Sequence, residues 1–447
     1  MKSTADAGAT PDGERIEALK RVLEVAPYDP LRHRELADAL RPHDELRADV
    51  HLATALLIEG FLDGSRCDAP VDLCNIATAF FARGNYAAAE LWYRIVIALD
   101  PGIAVAHMNL VAIYGATGRK AAAEQSRERA YALQRVFVER EGAPAHRVLV
   151  LTAGRSAANV PLNALLPTTA YERIGYIVDY ADEVEDERLP AHDFVFNAIG
   201  EPDAAVRLLG RLERFAARCG KPLLNAPDAV ARTQRHRLDT LLGDIPGIVL
   251  APCRRLAAGE MPPQELEFPQ LLRPAGSHGG DRLERCESPA ALAAAARAIG
   301  GEAYLTRFID YRSPDGWYRK YRMVFVDRRP LPYHLAISEH WMVHYESSGM
   351  DGDARRLEEE RAFLSDPEAA LGAPALSAVR AVGARLGLDY AGIDFTLLPD
   401  GRVLVFEANA TMLVHYESPE GALAHKNPCV RAIADALAEL VVRRCGR

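Results

Sequence analysis

Gly84 and Gly118 stand 34 residues apart, and so do Ala89 and Ala123. The period appears when the stretch APVDLCNIATAFFARGNYAAAELWYRIVIALDPG, residues 69–102, is laid on the residues that follow it. Within it, small residues at Ala77 and Ala89 let two helices approach closely, while Phe80 and Tyr93 fill the groove beside them. A unit of this length cannot bury its apolar face alone and must stack on a neighbour, so the period predicts an array of helical hairpins. A more degenerate unit starts near Pro30, with Leu36, Ala37 and Leu40 in the equivalent places, giving two well-formed repeats and one poor one.

The residues at fixed offsets, Ile76, Ala77 and Phe80, then Gly84, Ala89 and Tyr93, then Pro101, resemble the tetratricopeptide repeat. That resemblance implies an all-α domain over residues 1–140 whose concave surface binds a peptide or protein, or joins two copies of the chain into a homodimer.

A chain of 447 residues exceeds what one hydrophobic core organises, so several domains are expected. The net charge of −9, with no basic face in the pattern, disfavours a nucleic-acid partner. The opening MKSTADAGATPDGER lacks the apolar core of a signal peptide, and no run approaches ~20 apolar residues, so a cytoplasmic protein without a membrane span is expected. Seven scattered cysteines with no C-x-x-C pair argue against a disulfide framework and a zinc site.

After Arg140 the texture changes. RVLVLTA (147–153), IGYIVDY (174–180) and HDFVFNAIG (192–200) read as buried strands, with a helix over 202–219 and a short strand in KPLLNAP. Alternation of this kind predicts a small α/β domain with a parallel sheet, assigned to residues 146–256. Residues 257–447 are expected to form a third, α+β domain. Its most informative stretch is LDYAGIDFTLLPDGRVLVFEANATM, 388–412, where two strands flank the turn Pro399-Asp400-Gly401. Asp394 lies on the first strand; Glu407 and Asn409 lie two apart on the second and share a face. Three oxygen donors on adjacent strands suit a hard cation such as Mg2+, with phosphate oxygens completing its shell.

G-I-D-F, a hairpin and then F-E-A-N-A-T resemble the metal-binding end of the ATP-grasp superfamily, whose members include D-alanine:D-alanine ligases, glutathione synthetases and ribosomal-protein glutamate ligases. Residues 147–440 follow the order of that family, which makes the α/β domain its pre-ATP-grasp domain. The resemblance implies ATP and Mg2+ as cofactors, with Asp394, Glu407 and Asn409 holding the metal. It places Arg273, Gly276, Ser277, His278, Gly279 and Gly280 against the phosphates, and the backbone of Arg307, Phe308 and Ile309 against adenine. Two departures accompany it: Arg237 and Arg273 stand where lysines are usual, keeping the charge but changing reach and geometry. Arg322, on a strand shared with Lys320, matches the cation that faces the transferring phosphoryl group, so Arg322 and Arg273 are the expected catalytic cations. Arg319 is expected on the solvated face.

The chemistry so implied is ligation of a carboxylate to an amine through an acyl-phosphate, without a covalent enzyme intermediate. The pentapeptide VHYES occurs twice, at 343–347 and 414–418, each time beside one of these hairpins. It is either chance or a paired substrate-facing element. His340, His344, His415 and Tyr416 are accordingly the candidate substrate residues, and His340, His344 or His415 a candidate base. In the favoured reading the repeats recruit a peptide or protein substrate, in peptide modification or natural-product biosynthesis, and the second substrate is a small amine or amino acid. The alternatives are a ligase of two small molecules that dimerises through its helices, and a scaffold with a retired nucleotide site.

Overall fold

The structure, a computed structural model, describes residues 11–62, 69–155, 158–277 and 279–446. It divides into two compact units, Met1–Gln134 and Arg135–Arg447. No helix among the described residues is long and apolar enough to cross a membrane.

The first unit holds α1 (Pro11–Val25), α2 (Pro30–Leu40), α3 (Glu45–Leu62), α4 (Ala69–Ala82), α5 (Tyr86–Leu99), α6 (Ala104–Ala116) and α7 (Lys120–Leu133). From α2 onward, consecutive helices pack in pairs. The 34-residue period is written in the backbone: Gly84 and Gly118 turn the chain after α4 and α6 with φ of 73° and 72°, a left-handed conformation that favours glycine. Asn85 then caps α5 by accepting from the Ala88 N–H at 3.3 Å. Ala77, Ala89 and Tyr93 are fully buried. The Tyr93 hydroxyl lies 2.9 Å from Thr78 Oγ1 and accepts from Asn109 Nδ2 at 2.6 Å, tying α5 to α4 and α6.

The helical unit ends at α7, before residue 140. Residues 136–139, expected with the helices, form β1 (Val136–Glu139) at the edge of the next sheet. That sheet continues with β2 (His146–Thr152), β3 (Tyr171–Ile177), β4 (Phe194–Asn197), α8 (Pro202–Cys219) and β5 (Leu223–Leu224), in the order β1-β3-β2-β4-β5. All its pairs are parallel except β1 with β3. The short helices α9 (Pro227–Ala231) and α10 (Leu238–Leu242) lead out of it.

The chain then builds two further sheets. β6 (Ile248–Leu250) crosses to the large one, and β7 (Cys253–Leu256), β8 (Gln270–Pro274), β9 (Glu284–Cys286), α11 (Pro289–Ile299) and β10 (Ala303–Arg307) make the small one, ordered β7-β10-β8-β9. The expected boundary at residue 256 therefore falls late, since β6 and β7 already belong to these sheets. The large sheet follows with β11 (Tyr318–Val326), β12 (Arg329–Ser338), α12 (Ala354–Ser365), α13 (Pro367–Leu371), α14 (Ala373–Leu386), β13 (Tyr390–Leu397), β14 (Val403–Asn409) and α15 (Asn427–Cys445), in strand order β12-β11-β13-β14-β6.

Both hairpins of the large sheet follow from their turn residues. Asp327 and Arg328 take φ of 48° and 68°, the paired left-handed conformation of a tight hairpin turn. At Pro399-Asp400-Gly401, Gly401 takes φ 82° and the Leu398 N–H donates to Arg402 O at 2.8 Å. Gly392 marks a close approach: a Cβ there would meet the Met323 carbonyl at 2.8 Å.

Candidate active site

Strand register assembles the site. Arg322 on β11 pairs with His334 on β12 and with Asp394 on β13, and Asp394 pairs with Glu407 on β14. Directly paired residues share a face, so His334, Arg322, Asp394 and Glu407 form a row across four strands. The ladder slips after Arg322 and again after Asp394, two irregularities side by side where the charged residues sit.

Within the row, Arg322 Nε and Nη2 donate to Asp394 Oδ1 and Oδ2 at 2.6 and 2.9 Å, a bidentate pair, and Lys320 Nζ approaches Oδ2 at 3.4 Å. Glu407 takes Arg235 as its partner and accepts from Asn409 Nδ2 at 2.6 Å. Burial opposes ionisation of both carboxyls, but the cations outweigh it. Arg322 and Lys320 hold Asp394 far below the usual carboxylate range, and Arg235 and Arg273 hold Glu407 at about 2. Both are therefore carboxylates at neutral pH.

Arg322, Asp394 and Glu407 of this row form one wall of a cavity of about 230 Å³ between the large and small sheets. Arg273, on β8, faces it from the small sheet, its Nε donating to Ser277 Oγ at 3.2 Å. Burial, and then Arg235, push the Arg273 guanidinium down to about 10. Arg235, Arg273, Arg307, Lys320 and Arg322 line the cavity against three carboxylates, Asp239, Asp394 and Glu407, which leaves two positive charges in excess. A partly closed cleft of that sign attracts a polyanion.

The far end is apolar, with Leu250, Leu271, Phe308, Ile309, Leu404 and Phe406 on its walls and Trp341 set edge-on to Phe308 at 5.6 Å. The Arg307 and Phe308 N–H groups donate to Pro252 O and Pro269 O, both at 3.0 Å. Among the described residues the Ile309 N–H has no such acceptor and is the one left for a planar ligand. Cationic at one end and flat and apolar at the other, the cleft is shaped for a nucleotide.

Most of the residues expected from the sequence converge here: Asp394, Glu407, Arg322, Arg273, Gly279, Gly280, Arg307, Phe308, Ile309 and His344 all line the cleft. Gly276, Ser277 and Asn409 border a smaller recess that also contains Glu407 and Arg235. His278 lies outside the described residues. Arg237 is exposed and does not line the cleft; the cation supplied by that segment is Arg235, two residues earlier, because the turn from Arg235 to Leu238 aims only the first arginine inward. His340 is exposed. His415 is turned away, its Nδ1 3.1 Å from the Tyr333 hydroxyl and its Nε2 3.2 Å from Glu417, and Tyr416 is exposed. Arg319 points to the other face, where Asp315 and Glu359 pair with it.

The twin pentapeptides do not line one cleft, but both touch Lys426. Lys426, fully buried, lies 4.0 Å from the ring of Tyr345 in the first copy and 2.5 Å from Glu417 Oε1 in the second. Sequence reasoning missed Arg235, Lys320 as a partner of Asp394, and Lys426; only Lys320 had a local signal, its alternation with Arg322.

The oxygen donors fit a magnesium ion in type and register: two ionised carboxylates on paired strands, with Asn409 beside them. Asn409 Oδ1 accepts from the Thr411 N–H and Oγ1, both at 2.9 Å, so its amide must turn over to join the set.

No family model and no curated protein matches the chain. Among solved structures it is similar to the D-alanine–D-alanine ligase of Bacillus anthracis complexed with ATP, at 14% identity over 68% of this chain and 99% of that one, TM-score 0.41. It is also similar to an L-amino acid ligase from Bacillus licheniformis, at 12% identity over 66% and 75% of the two chains, TM-score 0.39. A third such structure is a RimK domain ATP-grasp protein from Sphaerobacter thermophilus, at 18% identity over 65% and 99%, TM-score 0.38.

Proposed function

We propose that the second unit is an ATP-dependent carboxylate–amine ligase that works through an acyl-phosphate. The observation that carries this reading is the row of Arg322, Asp394 and Glu407 on the large sheet, facing Arg273 and the glycines of the small sheet across a cleft with an apolar far end.

In this reading the Ile309 N–H and the walls at Phe308 and Phe406 hold the base, while Gly279 and Gly280 let the backbone approach the phosphates. Asp394, Glu407 and, after its amide turns, Asn409 would hold magnesium, which supplies positive charge to the transferring phosphoryl group. Arg322 and Arg235 hold those carboxylates in the structure, and both side chains would be free to turn towards phosphate oxygens with magnesium bound there. Arg322, Arg273 and Lys320 then stabilise charge on the phosphoryl group and on the oxyanion formed when the amine attacks. No nucleophilic side chain is required.

The helical hairpins of the first unit support the finer reading that they recruit a peptide or protein carrying one substrate, since exposed Tyr86, Leu91 and Val105 offer them apolar contacts. The test of the activity is phosphate release from Mg-ATP with pools of amino acids and short peptides. Wild type turns over and Glu407→Ala does not; nucleotide binding without turnover by either protein overturns the reading in favour of a scaffold. Removal of residues 1–134 separates recruitment from catalysis, because only recruitment predicts loss of turnover at low peptide concentration with small-molecule activity spared.

A further inference from the structure

The segment 341–344 runs along the cleft from its apolar end to its charged end. Trp341 stands beside Phe308, and three residues later His344 reaches the glycine loop, where a Cβ on Gly280 would collide with His344 Nε2. The groups that act on the imidazole come from each element around it: Lys320 and Arg322 from β11, Asp394 from β13 and Arg273 from β8. Neither ring nitrogen bonds to a protein group among the described residues, although the ring lines the cleft and is half-buried.

The other histidines of this region are placed differently. His236 also lines the cleft, but its ring stacks on Tyr304 at 5.9 Å and its unpartnered Nδ1 is buried; His334 is buried outside the lining, stacked on Tyr345 at 4.7 Å, and His425 holds Glu360 at 2.8 Å. His415 is bound to Tyr333 and Glu417.

On the ligase reading, on which this step rests, we infer that His344 is the base that removes the proton from the attacking amine. The amine nitrogen bonds to the acyl carbon, the C–O bond to phosphate breaks with its electron pair leaving on phosphate, and the proton lost by nitrogen passes to the His344 imidazole and on to solvent or phosphate. Burial, and then Lys320, keep the imidazole uncharged in the free protein. An acyl-phosphate beside Lys320, Arg322 and Arg273 offsets those cations, so the ring gains basicity only once the electrophile is in place.

The experiment uses the full chain, Mg-ATP and each of the twenty amino acids as carboxylate donor, with two acceptors. Hydroxylamine, uncharged at neutral pH, traps the acyl-phosphate as a hydroxamate; an amino-acid pool yields amide by mass. His344→Gln should change hydroxamate formation less than about tenfold and lower amide formation about 100-fold or more at neutral pH, with the amide rate recovering as pH rises and more amine is free. His344→Ala should regain amide formation when imidazole is added. Equal losses with both acceptors, or no loss with either, overturn the inference while leaving the ligase reading intact. Wild type that makes neither product overturns the ligase reading and the inference together.

Discussion

Arg273 illustrates a cation held for a ligand at the expense of the empty fold. It is part-buried, its side chain bonds only to Ser277 among the described residues, and the charged neighbour that acts on it most is another arginine, so burial and Arg235 bring it down to about 10, below the ordinary arginine range. That difference is worth roughly 3 kcal/mol against the folded state at neutral pH. The sign follows from proton counts: the unfolded chain binds this proton more tightly, so the penalty is complete below about 10 and is relieved only as pH rises above it. Arg273→Met keeps an unbranched apolar stem in place and removes the charge. Losing the bonds to Ser277 returns about 1–2 kcal/mol, leaving a net gain of about 1–2 kcal/mol. Thermal unfolding without nucleotide should therefore move up by about 2–4 °C, while the further rise that Mg-ATP gives wild type should vanish. A lower melting temperature for Arg273→Met without nucleotide refutes the electrostatic argument. A higher one with the nucleotide effect intact refutes the placement of Arg273 on phosphate.

Three other outcomes follow from the geometry. Arg322→Met leaves Asp394 buried with only Lys320 at 3.4 Å, and should cost about 3 kcal/mol in urea unfolding as well as all measurable turnover; Arg322→Met with Asp394→Asn should recover most of the stability and none of the activity. Lys426→Met should destabilise by about 2–3 kcal/mol because Glu417 keeps only His415, at 3.2 Å, as a partner, with the added change Glu417→Gln restoring most of it, as read from the urea midpoint. In the helical unit, burial and His33, 3.0 Å away, hold His51 at about 4 against an ordinary 6.5, so unfolding monitored by helix content should show stability falling as pH drops from about 6.5 to 4. His51→Gln should flatten that slope.

The parts of this architecture that were legible in sequence are those written in local rules. The glycines at a 34-residue spacing turn the chain at equal φ, Pro399-Asp400-Gly401 makes its hairpin, and α8 spans the expected 202–219 because Glu201 and Pro202 open it and Gly220 closes it in a left-handed cap. Two-residue alternation also sufficed to put Glu407 and Asn409 on one face. What was not legible depends on contacts far along the chain. Nothing in TQRHRLD tells which arginine meets a carboxylate 172 residues later. The three residues of β6 gain their place only by pairing with β14, and the identical pentapeptides separate because one leaves β12 towards the glycine loop while the other leaves β14 towards α15.

The division of labour between the two sheets has a kinetic meaning. Arg322, Asp394 and Glu407 are locked to one another by a single strand register, so their spacing survives any breathing of the cleft. Arg273 and the glycine loop sit on the other sheet and travel with it. Substitutions that loosen β8 or β10 should therefore weaken nucleotide affinity and leave the rate of the bound complex nearly intact, whereas a one-residue insertion in β11 or β13 should do the reverse. Evolution could retune how tightly such a protein holds its fuel without touching how fast it burns it.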